Sequence, residues 1–167
     1  MALTLVRHTT PDVTPGTCYG RTDLPLAGSF ETEAEAVLAS LPPVGRIVTS
    51  PLYRCRRLAE RIASRQGAEL DVSEACIEMD FGAWEGRLWS ELPRAELDGW
   101  AADFMGYRGH GGESVAQLLT RVRAGLAALP PGTLVVTHSG VIKAALAARG
   151  DADGWEHQPP FGGIVRV

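Results

Sequence analysis

Short β-prone runs alternate with stretches of helical period along this chain. That alternation constrains the fold more than any other feature. Residues 2–6, 46–49, 68–72 and 133–137 have the length of strands, and Thr133-Leu134-Val135-Val136-Thr137 is the most β-like of them. Residues 26–41 carry Phe30, Ala34, Val37, Leu38 and Leu41 at helical spacing, and Pro42-Pro43 stops them. Residues 51–66 carry Leu52, Cys55, Leu58, Ala59 and Ile62 on one face, with Ser50 read as the N-cap, Pro51 as the first helical residue and Gly67 as the left-handed residue beyond the end. A helix over 89–104 is interrupted by Pro93. Another opens at Glu113-Ser114 and runs to Leu129, and a short apolar one spans 141–148. Residues 161–167 read as a final edge strand after Pro159-Pro160. Strands alternating with helices imply an α/β fold, a three-layer α/β/α sandwich with a mostly parallel central sheet. The 167 residues suit a single domain, 1–167, long enough to bury a core.

Three of the strand ends carry groups that bind anions. Ala2 to Val6 runs into Arg7-His8, the second strand into Ser50-Pro51 with Arg54 one turn on, and the fourth into His138-Ser139-Gly140. In a parallel sheet these ends share one edge, the edge where open α/β sheets bind ligands. Helix N-termini there add free N–H groups and positive dipole ends. Such a site attracts a compact dianion, and arginine forks match the oxygens of phosphate. Residues 76–86, with Glu78, Asp80 and Glu85 among aromatics and glycines, can set a carboxyl group in a partly apolar wall. No G-x-x-x-x-G-K-[ST] loop or G-x-S-x-G elbow occurs, and neither His8 nor His138 lies in a metal-spaced cluster.

Composition narrows the function classes. A net charge of −4 without a long basic run argues against nucleic-acid and anionic-membrane partners. No apolar run approaches the ~18 residues of a spanning helix, and the stretch before Arg7 is too short for a signal peptide. Three cysteines without C-x-x-C spacing fit reduced packing residues in a reducing cytoplasm.

Phosphate monoesters are among the slowest substrates to hydrolyse, with enzymatic enhancements up to ~10²¹, roughly 28 kcal/mol. One charged hydrogen bond contributes only ~1.5–3 kcal/mol. A lone arginine is therefore no mechanism, whereas a converging shell plus a covalent intermediate that divides the barrier can be one. Histidine is a usable nucleophile because much of it is unprotonated at neutral pH. The leaving alkoxide then needs a nearby acid.

The residues resemble a known family at this point. Leu5-Val6-Arg7-His8, Thr49-Ser50-Pro51-Leu52-x-Arg54, Glu78-x-x-x-Gly82-x-Trp84-Glu85-Gly86, Gly111-Gly112-Glu113-Ser114 and Val136-Thr137-His138-Ser139-Gly140-Val141-Ile142 look, in this order, like the motifs of the histidine phosphatase superfamily, the phosphoglycerate mutase-like proteins. The resemblance spans essentially the whole chain and implies a phosphoglycerate mutase-like fold. It also implies His8 as the phosphorylated nucleophile, Arg7, Arg54 and His138 around the phosphoryl group, Glu78 as proton donor and then base, and no metal or cofactor. The run Pro15-Gly16-Thr17-Cys18-Tyr19-Gly20-x-x-Asp23-x-Pro25-Leu26 and Pro160-Phe161-Gly162-Gly163 look most like the α-ribazole phosphatase branch of cobalamin biosynthesis. A mutase is disfavoured because the chain is short for the insertions that cover a mutase site.

The partner expected from this resemblance is a small phosphorylated metabolite. Thr9, Tyr19, Gly20, Arg21 and Ser139 are the candidate substrate-binding residues. Tyr19 reads equally well as a core residue, and Arg21 and Arg57 as surface or rim. Thr9 and Ser139 stand where the family usually has glycine. His110 and His157 read as surface histidines, and Trp84, Trp89 and Trp100 as core. Oligomeric state stays open, a homodimer included.

Overall fold

The structure, a computed structural model, describes residues 2–167. Five strands, β1 (Thr4–Arg7), β2 (Arg46–Thr49), β3 (Glu69–Val72), β4 (Leu134–Thr137) and β5 (Ile164–Arg166), form one sheet in the order β3-β2-β4-β1-β5. The first four strands are mutually parallel, and β5 runs antiparallel along β1 as an edge. Five helices complete the α/β fold: α1 (Phe30–Ser40), α2 (Tyr53–Gln66), α3 (Arg94–Ala102), α4 (Val115–Ala127) and α5 (Ser139–Ala148).

Adjacent residues of each inner strand feed opposite cores. Leu5, Val48 and Val135 pack with residues of α4 and α5, while Val6, Ile47, Leu134 and Val136 pack with residues of α1 and α2. Both faces of the parallel strands are covered, so these strands read as continuous apolar runs rather than alternating ones. Each such Val, Leu or Ile stabilises the fold by about 1.5–3 kcal/mol when fully buried. No helix among the described residues is long and apolar enough to cross a membrane.

The register carries three chain ends to one edge. Arg7 lies opposite Thr137, and Thr49 opposite Val136. The ladder continues one residue further, with His8 N–H donating to the Thr137 carbonyl and Ser50 N–H to the Val136 carbonyl, each at 3.0 Å. His8, Ser50 and His138 therefore emerge side by side.

Helix starts differ from the sequence reading. Residues 26–29 are outside α1: Leu26 bridges Pro11, and Ala27 N–H donates to the Thr10 carbonyl. Those contacts to the long loop outweigh the local helical period. Pro51 is not the first residue of α2. Leu52 is extended there (φ −69°, ψ 141°), and the Tyr53 N–H is taken at 2.7 Å by Asp23 Oδ1 from the loop. The cap is thus a carboxylate thirty residues upstream, which no local pattern announces. The stretch 89–104 breaks at Pro93, leaving a 3₁₀ turn at Trp89–Glu91 before α3. The α5 helix starts at Ser139, two residues earlier than its apolar run suggests. The last strand is confined to Ile164–Arg166. The start of α4 and the end of α2 follow their sequence signals. Ser114 and Gln117 close a capping box, and Gly67 is left-handed at φ 66°.

A third buried cluster, Cys18, Trp84 and Leu92, sits under the connection between β3 and α4. His110 belongs beside it. It is buried rather than superficial, its Nδ1 accepting the Gly112 N–H at 2.9 Å and its ring edge-on to Trp84. Gly82 locks this region. Its φ is +53°, and a Cβ there would lie 2.1 Å from the His110 carbonyl oxygen. Gly82→Ala is expected to destabilise the fold by about 2 kcal/mol or more, since strain and overpacking add. That corresponds to a melting temperature lower by about 4–8 °C. An unchanged Tm would contradict this placement.

Candidate active site

The edge formed by β1, β2 and β4 gathers five polar side chains. His8, directly after β1, is almost fully buried. Its Nδ1 lies 2.7 Å from the Thr9 carbonyl oxygen. A carbonyl only accepts, so the proton sits on Nδ1 and the lone pair is on Nε2. Arg54, in the first turn of α2, donates from Nε to that Nε2 at 3.3 Å. Its other two nitrogens are fixed by carbonyls of the long loop, Thr22 at 2.7 Å and Gly20 at 2.6 Å. Arg54 has no exposed surface, so its charge is held against the imidazole in a region closed to water.

Arg7, the last residue of β1, donates from Nη1 to the Pro159 carbonyl at 2.8 Å and stacks over Phe161 with its guanidinium carbon 3.9 Å from the ring centre. Its Nε is buried without a hydrogen-bond partner. A donor in that state is costly unless a ligand oxygen takes it. His138 caps α5. Its Nε2 is 2.7 Å from Ser50 Oγ and 3.4 Å from Cys55 Sγ, and its ring meets that of His8 edge-on at 5.2 Å.

Glu78 faces this group from the segment after β3. Its Oε1 accepts the Met79 N–H at 2.9 Å, and its Oε2 accepts the Gly140 N–H at 3.1 Å, at the positive end of α5. The backbone carbonyl of Glu78 is held by Arg121 Nη2 at 3.1 Å and Arg21 Nε at 3.3 Å. Arg121 in turn grips Glu113 with two nitrogens, at 2.7 and 3.0 Å. This fork fixes the acidic segment to α4.

Burial pushes the His8 imidazole well below its ordinary pKa, and the Arg54 charge adds to the effect. His138 moves the same way, from burial first and then Arg54 and His8. Both rings are therefore neutral at pH 7. Burial also lowers the Arg7 guanidinium, offset by Tyr19 and Glu78, and arginine remains a cation throughout.

A cavity of about 450 Å³ opens beside these groups. Arg7, His8, Glu78, Ser139 and Gly140 line it, and Phe81, Trp89, Trp100, Phe104 and Trp155 give it an aromatic wall. Trp89 and Trp100 pack half-buried against the Cys18–Trp84–Leu92 cluster and line the cavity as well; Trp84 alone of the three expected core tryptophans is fully buried. Tyr19 lines the cavity as well. Arg54 and His138 lie behind His8, buried and off the wall. Thr9 is buried and contributes its carbonyl. Gly20 is off the wall, packed so that a Cβ would lie 1.9 Å from the Met79 carbonyl. Arg21 is exposed and pairs with Glu113 at 3.7 Å. The two other carboxylates of the acidic segment are committed elsewhere. Glu85 accepts from Gly20 N–H, the Thr22 amide and hydroxyl, and Phe81 N–H, and Asp80 accepts from Gly82 N–H. Among the described residues, no group of three or more His, Cys, Asp or Glu is placed to hold a metal ion.

The site therefore offers an unprotonated nitrogen beside two arginines, a carboxyl group and the N-terminus of α5. The sequence pattern of the histidine phosphatase superfamily (branch 1) matches residues 3–159. The chain belongs to that superfamily. Among its relatives in the superfamily is a probable phosphoglycerate mutase GpmB of Salmonella paratyphi B, 34% identical over a 130-residue alignment, with 71% of this chain and 60% of the relative covered. The chain thus spans about 60% of that relative's length. A phosphoglycerate mutase structure from Thermus thermophilus superposes with a TM-score of 0.82 at 35% identity, covering 100% of this chain and 92% of that one. The structure of TTHB049 from the same organism reaches 0.84 at 34% identity, covering 100% and 93%. A mycobacterial glucosyl-3-phosphoglycerate phosphatase reaches 0.83 at 25% identity, covering 99% and 88%.

Three residues of the site were not singled out from the sequence. Ser50, read as a helix cap, is the partner of His138, and Cys55, read as a core residue, touches the same ring. Lys143 lines the cavity and is the only lysine among sixteen basic residues, a compositional signal that was open to view.

The two neutral imidazoles give stability a sign with pH. Their folded pKa values lie below the unfolded value of ~6.5. As pH falls through that value the unfolded chain takes up protons that the folded sites refuse, so stability falls. The urea midpoint of the native protein is expected to drop more steeply between pH 7 and 5.5 than that of His8→Gln. Parallel curves would contradict the neutral-imidazole account.

Proposed function

We propose that the chain is a phosphomonoesterase that works through a phosphohistidine on His8, without a metal ion, and that α-ribazole 5′-phosphate is its favoured substrate. One observation carries the reading: the Thr9 carbonyl fixes the His8 proton on Nδ1 and leaves the Nε2 lone pair beside Arg54 and the cavity. A phosphate dianion enters with its oxygens toward Arg7, Arg54 and His138. The Arg54 Nε–H turns from Nε2 to a phosphoryl oxygen, and the freed lone pair attacks phosphorus. The ester P–O bond breaks, and the leaving alkoxide takes a proton from Glu78. Water then loses a proton to the Glu78 carboxylate and attacks the phosphoryl group. The P–N bond breaks, and phosphate leaves with His8 restored.

The aromatic wall supports a leaving half that ends in a flat ring, as the benzimidazole of α-ribazole does. The three cysteines are free and buried, which suits a reducing cytoplasm. The names of the relatives favour a second reading, an esterase for small phosphorylated sugars or acids on the same scaffold.

Three measurements test the proposal. Glu78→Gln is expected to lower kcat/KM, which reports the steps up to phosphoryl transfer to His8 and leaves out the later attack by water, by about 10²–10⁴-fold on an alkyl phosphate and far less on p-nitrophenyl phosphate, whose leaving group needs no proton. Equal losses would remove Glu78 as the acid. A kcat/KM on α-ribazole 5′-phosphate at least ~100-fold above that on p-nitrophenyl phosphate corresponds to about 2.7 kcal/mol of selective transition-state binding. Comparable values on the two would overturn the substrate assignment. Activity surviving in EDTA is expected; its loss would point to a metal.

A further inference from the structure

Lys143 is the one cation of the cavity that the chemistry above leaves idle. It lies on α5, three and four residues after Gly140 and Ser139, and all three line the cavity. Residues so spaced share one face of a helix, and helical side chains lean toward the N-terminus. The Lys143 stem therefore runs back over the turn whose Gly140 N–H holds Glu78. Its half-buried ammonium interacts electrostatically with Glu78 and with Arg7. Among the described residues it makes no hydrogen bond or ion pair, whereas Arg7, Arg21, Arg54 and Arg121 are each fixed by carbonyls or carboxylates. The chain uses lysine nowhere else. A compact, rotatable point charge on a flexible stem stands where fifteen other basic positions carry a planar fork.

We propose that Lys143 is a specificity-determining residue that donates to an oxygen of the leaving half, on the atoms next to the ester. This rests on the phosphatase reading of the site. Glu78 reaches the ester oxygen, so a group beside Glu78 meets the first atoms beyond it. Arg7 and Arg54 already hold the phosphoryl end, and the aromatic wall offers no other cation for an oxygen in between. The ligand chemistry is a hydroxyl or carboxylate oxygen close to the ester, followed by whatever ring the wall accepts.

The test compares kcat/KM for the native enzyme, Lys143→Met and Lys143→Arg on three alkyl esters. Ethyl phosphate has no oxygen beyond the ester, phosphoglycolate has a carboxylate there, and ribose 5-phosphate has sugar oxygens. The loss in Lys143→Met is expected to be at least about tenfold greater on one of the oxygen-bearing esters than on ethyl phosphate, the size of one charge-assisted hydrogen bond. Lys143→Arg is expected to recover part of that difference. A larger loss on phosphoglycolate assigns a carboxylate, and a larger loss on ribose 5-phosphate a hydroxyl. Equal losses on all three would overturn the proposal by placing Lys143 at the phosphoryl group or on Glu78. No loss on any would overturn it as well. A native enzyme that cleaves p-nitrophenyl phosphate or α-ribazole 5′-phosphate but none of these three would overturn this proposal alone; one that cleaves none of the five would overturn the phosphatase reading itself, and this proposal with it.

Discussion

The structure depends on a buried guanidinium held against a neutral imidazole. Arg54 lies with no exposed surface, and its Nε points at the His8 nitrogen that carries the lone pair. Burying an unpaired charge costs several kcal/mol, and among the described residues no carboxylate pairs with Arg54. Carbonyls of Thr22 and Gly20 take two of its three nitrogens instead. The long loop after β1 is thereby tied down, because it must supply those carbonyls. Burial first, and the same charge second, keep both site histidines neutral. What remains is an electropositive site with no anion of its own on Arg54, which is what a phosphoryl group would supply.

The acidic segment obeys a related constraint. A carboxyl group beside two arginines has to be kept at a distance from them, or it would pair with them and occupy the anion site. Glu78 is kept by the amides of Met79 and Gly140, and its backbone by the Arg121 fork, itself locked to Glu113. Glu85 closes the system from the other side by gathering amides of the long loop. Loop and acidic segment therefore hold each other, and Gly20 and Gly82 are where the backbones come too close for a side chain.

Much of this was legible in the sequence, for identifiable reasons. Strand ends are local: Arg7-His8, Arg54 and His138 could be placed on one edge once the strands were taken as parallel, because register then fixes their neighbourhood. Caps built from adjacent residues were legible too, as at Ser114 and Gly67. What escaped depends on contacts between distant segments. Asp23 capping α2, His110 buried beside Trp84, Ser50 turned to His138 and the tryptophans split between core and cavity wall all follow from how the loops pack. No period or spacing encodes such packing. The start of α1 failed for the same reason, since the Pro25 carbonyl and the Ala27 amide are bonded to the loop at Asp12 and Thr10 rather than within a helical turn.

The central claim is that the His8 Nε2 carries the phosphoryl group during turnover. The most direct measurement is rapid quenching of the enzyme with a radiolabelled phosphate ester at alkaline pH, followed by mass spectrometry of the labelled peptide. The account predicts an acid-labile, base-stable phosphoryl group on His8, formed at least as fast as steady-state turnover and absent from His8→Ala. Undiminished turnover without any covalent label would contradict it and require direct attack by water.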